Sequence, residues 1–140
     1  AERYRRLVAL QERISTEENE ALQGAEVEVI VAEGGGRKDG ARGRISGRAR
    51  DNRLVHVAVP AGMAESAMPR PGDAVLATVT HGAPHHLVAD SALTSGVLPV
   101  RRTRAGDAWD RRRSDPHGPA SGGTAGGTVS LGLPAIRVGA

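Results

Sequence analysis

"AEVEVIVAE", residues 25–33, is the stretch that decides the fold. Val27, Val29 and Val31 fall on one face and Glu26 and Glu28 on the other, the period of two that makes a half-buried strand. Just before it the period is helical. Residues 2–22, "ERYRRLVALQERISTEENEAL", set Leu7, Leu10, Ile14 and Ala21 near one side, cover the rest with Arg and Glu, and stop at Gly24. A lone helix of this length has nothing in its own sequence against which to bury that stripe.

Working outward in the other direction, "GGGRKDG" (34–40) is a glycine-rich connection, "ARGRISGR" (41–48) a weaker basic strand and "NRLVHVAVP" (52–60) a stronger one that ends at Pro60. A loop follows, in which "RPGD" (70–73) is a turn signal feeding "AVLATVTH" (74–81); "GAP" (82–84) breaks the chain and "HHLVAD" (85–90) is a short fifth strand. Five short strands punctuated by turns predict an all-β fold, a small closed or partly open barrel rather than a parallel sheet. The strand signal fades after Leu98. From Arg111 onward Gly, Pro, Ser, Thr and Ala dominate, the composition of a disordered tail.

The 140 residues suffice for one small domain, and the absence of cysteine excludes disulfides, thiolate metal sites and cysteine nucleophiles within the chain. No run is long and apolar enough to cross a bilayer, and the N-terminus lacks the apolar block of a secretory signal, so the expectation is a cytoplasmic protein without a membrane partner. The net charge of +3 says little by itself, but its distribution says more. Between residues 37 and 53 stand Arg37, Lys38, Arg42, Arg44, Arg48, Arg50 and Arg53 against only Asp39 and Asp51. Between 101 and 113 six arginines face Asp107 and Asp110. Guanidinium forks suit phosphate, although the excess of Ala, Gly and Arg is also what a GC-rich coding sequence produces.

A small basic barrel fits nucleic-acid binding, with Arg37, Lys38, Arg42, Arg44, Arg48 and Arg53 supplying charge and Ser46 and Asn52 directional hydrogen bonds. The plain alternative is a solvated sheet face. With no Phe, and only Tyr4 and Trp109 as aromatics, there is no stacking platform for single strands, so contacts to RNA would be electrostatic and polar. His81, His85 and His86 sit in a Gly- and Pro-containing turn with no acid placed to complete a metal site; imidazoles serving the turn or touching RNA are the readings left. "GGGRKDG" lacks the Gly-Lys-Ser/Thr ending of a phosphate loop, and no serine, histidine and carboxylate are spaced for catalysis.

Gly24 with "EVEVIVAE", then "RKDG", "ISGRARDNRLVHVAVP", "RPGDAVLATVTHGAPHHLVAD" and "VRRTRAGDAW" together resemble the C-terminal portion of bacterial tRNA methylthiotransferases of the MiaB type, the actinobacterial ones in particular. Gly47, Arg48, Asn52 and Arg53, followed by hydrophobic residues, are the most specific part of the likeness. The resemblance implies a TRAM domain, a five-stranded OB-like barrel, over residues 24–92. It makes 1–23 the helical end of a radical-SAM domain or its linker, 93–110 a basic extension and 111–140 a flexible tail. It further implies binding of a tRNA anticodon stem-loop by the residues above together with His85 and His86, in an enzyme that methylthiolates an isopentenylated adenosine beside the anticodon. Iron–sulfur clusters and S-adenosylmethionine would serve that reaction in domains that carry cysteines. This chain carries none, so the expectation for it alone is no catalysis and no cofactor. The same chain can also be read as a protein-interaction module buttressing the catalytic domain, and an exposed apolar helix invites weak self-association.

Overall fold

A computed structural model describes residues 1–34 and 43–115. Arg37, Lys38 and Arg42, and the tail expected to be disordered from residue 116 on, lie outside the described residues. Helix α1 runs over Glu2–Ala21. Seven strands follow: β1 (Glu26–Val31), β2 (Arg44–Ala49), β3 (Leu54–Ala58), β4 (Ala74–Thr78), β5 (His81–Gly82), β6 (Leu87–Ala89) and β7 (Val100–Arg101). The short helix α2 (Ser91–Ser95) and the longer α3 (Arg104–Ser114) complete the chain.

The strands form one mixed sheet in the order β5-β6-β3-β2-β1-β4-β7, so the fold is mostly β with an N-terminal helix. β1 lies between β2 and β4, antiparallel to both, whereas β3 pairs with β6 in parallel. The alternation read in residues 25–33 is realised: Val29 and Val31 are buried while Glu26, Glu28 and Ile30 face outward. Val29 and Val31 meet Val55 and Val57 of β3, Val75 and Ala77 of β4, Val79, and Leu87 and Ala89 of β6 in one cluster. Inner-face side chains of four strands can share a single cluster only if the sheet curls strongly around it. Ala92 of α2 and Leu98 complete this core, in which valine predominates and no aromatic ring takes part.

The five expected strands are present, and the two additions are only two residues long each. β5 continues the chain of β4 after Val79 and Thr80, and those two residues have different partners. Val79 donates its N–H to Ala25 at 2.9 Å and accepts from Gly24 at 2.8 Å, whereas Thr80 donates to the carbonyl of Val88 at 2.8 Å. The chain therefore leaves the neighbourhood of β1 and joins β6 within one residue.

Helix α1 touches the sheet only near its C-terminal end. A Cβ on Gly82 would stand 2.3 Å from the carbonyl carbon and oxygen of Asn19, so glycine is what allows the helix backbone to rest on β5. The buried Asn19 side chain donates to the carbonyl of Ala83, and Arg53 Nη2 reaches Glu18 Oε2 at 3.0 Å. Leu7, Leu10 and Ile14 remain 61%, 43% and 44% exposed, so the apolar stripe is uncovered among the described residues.

The C-terminal third differs from the sequence expectation. Residues 111–114, assigned above to the flexible tail, belong to α3. Thr103 caps this helix by accepting from Gly106 N at 3.1 Å. An ion-pair cluster centred on Asp73 then holds it against the 68–73 turn.

Candidate nucleic-acid interface

The β2–β3 hairpin carries most of the candidate RNA-contact residues that the structure describes: Arg44, Ser46, Arg48, Asn52 and Arg53. Its turn is short because Asn52 N donates to the Ala49 carbonyl at 2.9 Å and Asn52 itself takes φ +67°. This is a tight turn closed by a left-handed residue, and Asn tolerates that conformation better than most side chains. The Asp51 carboxylate steadies it by accepting from Arg53 N at 3.2 Å. Asn52 and Asp51 are thus explained by turn chemistry.

Side chains alternate along β2. Ile45 and Ala49 pack against the core and Gly47 lies buried between them, while Arg44, Ser46 and Arg48 project from the opposite face. On that face Ser46 lies across from His56, and His56 across from Val88 of β6. Ser46 Oγ and His56 Nδ1 share a hydrogen bond of 2.7 Å, and the His86 ring meets His56 edge to face at 4.9 Å. Burial pushes the His86 pKa below its ordinary value, and the neighbouring His56, His81 and His85 push the same way. Sequence reading passed over His56 because it sits inside an apolar strand; only its opposite phase to Val55 and Val57 marks it as outward-facing.

Three of the expected residues come together. Arg53, His85 and His86 line a cleft of about 180 Å³ with Glu18 and Asn19 of α1. The others do not join them as free groups. Arg44, at the far end of β2, is held by both carboxylate oxygens of Asp90. Arg53 is bonded to Asp51 Oδ2 at 2.8 Å and to Glu18, so its fork is already occupied. Ser46 is 7% exposed and turned toward His56. Arg48 is exposed and donates to the Asn52 carbonyl at 3.1 Å, with no carboxylate partner among the described residues. Arg48 and Arg53, alike in the sequence as suppliers of charge, therefore differ in the structure. A neighbouring acid two positions away and a helix brought in by Gly82 capture Arg53, and neither follows from local charge alone.

The donor set excludes a resident iron–sulfur cluster on this chain. Cluster irons are held by thiolates and the sequence has no cysteine; no group of three His, Asp or Glu side chains is placed for a metal among the described residues. No helix of the described residues is long and apolar enough to cross a membrane.

No family model matches the chain. It is similar to proteins named tRNA-2-methylthio-N(6)-dimethylallyladenosine synthase from several actinobacteria. The one from Leifsonia xyli is 59% identical over 97% of this chain, that from Kineococcus radiotolerans 55% over 97%, and that from Thermobifida fusca 55% over 96%. The chain spans about a quarter of the length of these curated relatives (25%, 25% and 24%) and corresponds to a C-terminal portion of them.

Proposed function

We propose, starting from a chain that is the counterpart of a C-terminal portion of tRNA methylthiotransferases, that it is the tRNA-holding TRAM domain of such an enzyme. The observation that carries this reading is the 59% identity to a synthase whose name specifies a tRNA product, sustained over nearly the whole chain. The sheet order supports the barrel. β5 and β4 stand toward opposite ends of the order yet are one continuous chain through Val79 and Thr80, a continuity that favours an OB-like curl of the sheet.

In this proposal the outer face of β2, β3 and β6 and the adjoining cleft receive the tRNA anticodon stem-loop. Arg48 offers an exposed guanidinium, not tied to a carboxylate among the described residues, to the phosphate backbone, His85 and His86 border the cleft, and Arg37, Lys38 and Arg42 add charge from the stretch between β1 and β2. Arg44, Ser46 and Arg53 shape the face through their own bonds, with Asn52 setting the turn. The whole enzyme would methylthiolate an isopentenylated adenosine beside the anticodon in the cytoplasm, with S-adenosylmethionine and iron–sulfur clusters supplying the radical chemistry. Without thiolates, this chain takes no part in that chemistry beyond holding the substrate.

The test is tRNA affinity of the 140-residue chain measured by fluorescence anisotropy across a salt series. The reading expects binding that weakens steeply with salt, and Arg48→Ala to weaken it and to lower the slope of log K against log salt by just under about one unit. A chain that binds no tRNA at low salt overturns it. A second reading is favoured by the uncovered Leu7, Leu10 and Ile14 stripe: α1 buttresses the catalytic part of the enzyme, an association that would be insensitive to salt and to tRNA.

A further inference from the structure

Both acids of helix α3 pair with an arginine of the 68–73 turn. Asp107 and Asp110 both turn toward Arg70, whose Nη1 lies 3.0 Å from Asp107 Oδ1 and 2.6 Å from Asp110 Oδ2. Arg102 and Arg70 are in turn joined through the fully buried Asp73. Arg101 reaches Glu28 at 3.0 Å, and Arg113 lies 4.8 Å over the Trp109 ring. Both acids within the helix are thereby paired with Arg70, each with about half of its side chain still exposed.

Arg104, Arg111 and Arg112 are what remains. All three are exposed, and none has a carboxylate partner among the described residues. Arg104 and Arg111 are seven positions apart, two helical turns and roughly 10 Å along one face, with Arg112 beside them. Arginines in a last turn are commonly explained by the helix dipole, which favours cations there. That explanation fails for Arg104, which occupies the first turn, where the dipole disfavours a cation. A charge placed against the dipole, in line with Arg111 and with Arg112 next to that line, points to an anionic ligand rather than a stabilising role in the helix.

The helix is also held rigidly enough to present them. Thr103 Oγ1 donates to the Gly72 carbonyl at 2.6 Å, and Gly106 sits so close to the ion-pair cluster that a Cβ there would stand 2.2 Å from Asp73 Oδ1. We propose that Arg104, Arg111 and Arg112 form a second phosphate-binding surface for RNA, separate from the β2–β3 hairpin. The inference rests on the RNA-binding reading above and adds to it a site on the C-terminal helix. Trp109, the sole tryptophan, lies on the same helix and reports occupancy.

The experiment titrates tRNA into the 140-residue chain and compares the wild type with the triple variant Arg104→Gln, Arg111→Gln, Arg112→Gln. A control variant, Arg3→Gln, Arg5→Gln, Arg6→Gln, removes the same charge from the far end of α1. Circular dichroism verifies the fold of each. The wild type is expected to bind with a change in Trp109 emission. The α3 variant is expected to lose about tenfold to a hundredfold in affinity at 0.1 M salt and about two units of salt slope, with the control much closer to wild type. If the wild type binds tRNA while the folded α3 variant keeps its affinity and slope, or loses no more than the control, the α3 site is overturned and the RNA-binding reading stands. If the wild type ignores tRNA, both fall together.

Discussion

Asp73→Asn is the perturbation that most directly tests how the C-terminal helix is held. The Asp73 carboxylate is inaccessible to solvent and accepts five hydrogen bonds: from Arg70 N at 2.9 Å, Arg70 Nε at 3.0 Å, Arg70 Nη2 at 3.1 Å, Arg102 Nη1 at 3.0 Å and Thr103 N at 3.0 Å. An asparagine of the same shape offers one carbonyl, so whichever way it turns, an N–H group faces donors across a dry space. Removing one partner of a buried ion pair costs about 3–5 kcal/mol. Arg70 keeps Asp107 and Asp110, and Arg102 is 42% exposed and can rehydrate, which argues for the lower end, about 3 kcal/mol. Against a total of about 5–15 kcal/mol for a small domain that is a large share. Urea unfolding followed by Trp109 fluorescence and by far-ultraviolet circular dichroism gives the readout, the Trp109 transition moving to lower urea than the sheet transition. A loss below about 1 kcal/mol with coincident transitions would refute the reasoning, since a marginal effect belongs to surface ion pairs.

The same carboxylate makes a pH prediction. Burial alone would raise its pKa, but hydrogen bonds from Arg70, Thr103 and Arg102 outweigh it and hold the group well below the usual carboxylate range. The unfolded chain, with an ordinary value near about 3.9, binds more protons over the interval between the two. The stabilisation is complete above about pH 4 and drains away as the pH falls further, and Asp73→Asn removes that acid-dependent loss.

Further predictions concern the core, the helix seat and the histidines. Leu87→Ala, at the largest fully buried side chain, should cost about 2–5 kcal/mol in the same urea assay. Gly82→Ala should displace α1 from β5 while leaving the sheet folded, measured as faster amide exchange around Asn19 with protected β1 and β3; unchanged exchange would dismiss the close seat. His86, with its pKa below the ordinary value, stays neutral in the folded chain at pH values where the unfolded chain becomes charged. Stability should therefore fall as the pH drops below about 6.5, and His86→Gln should flatten that dependence in thermal melts at pH 7.5 and pH 5.

Periodicity carried most of the fold. α1 and the four longest strands were legible because each has an apolar face of the correct period; the strand faces are the ones buried, whereas the stripe of α1 stays uncovered among the described residues. α3 was not legible, since its only buried residue is a glycine and its docking depends on Asp73, thirty or more positions earlier. An ion-paired seat leaves no hydrophobic period to read. The candidate site was legible in composition but not in geometry. Local charge counts Arg44, Arg48 and Arg53 alike, whereas Asp90 and Glu18, which arrive from distant segments, distinguish them.

The parallel pairing of β3 with β6 has a consequence for how the chain acquires its shape. The β2–β3 hairpin joins neighbours in sequence and can form at once, but Val55 pairs with Leu87 and Val29 with Val75, partners that emerge much later during synthesis. Loops of that length must close before the valine cluster can begin to stabilise them, which places such topologies among the slower folders, on the order of milliseconds to seconds. During translation the hairpin would wait with its apolar side bare until Ala89 clears the ribosome, and α3 can dock only afterwards.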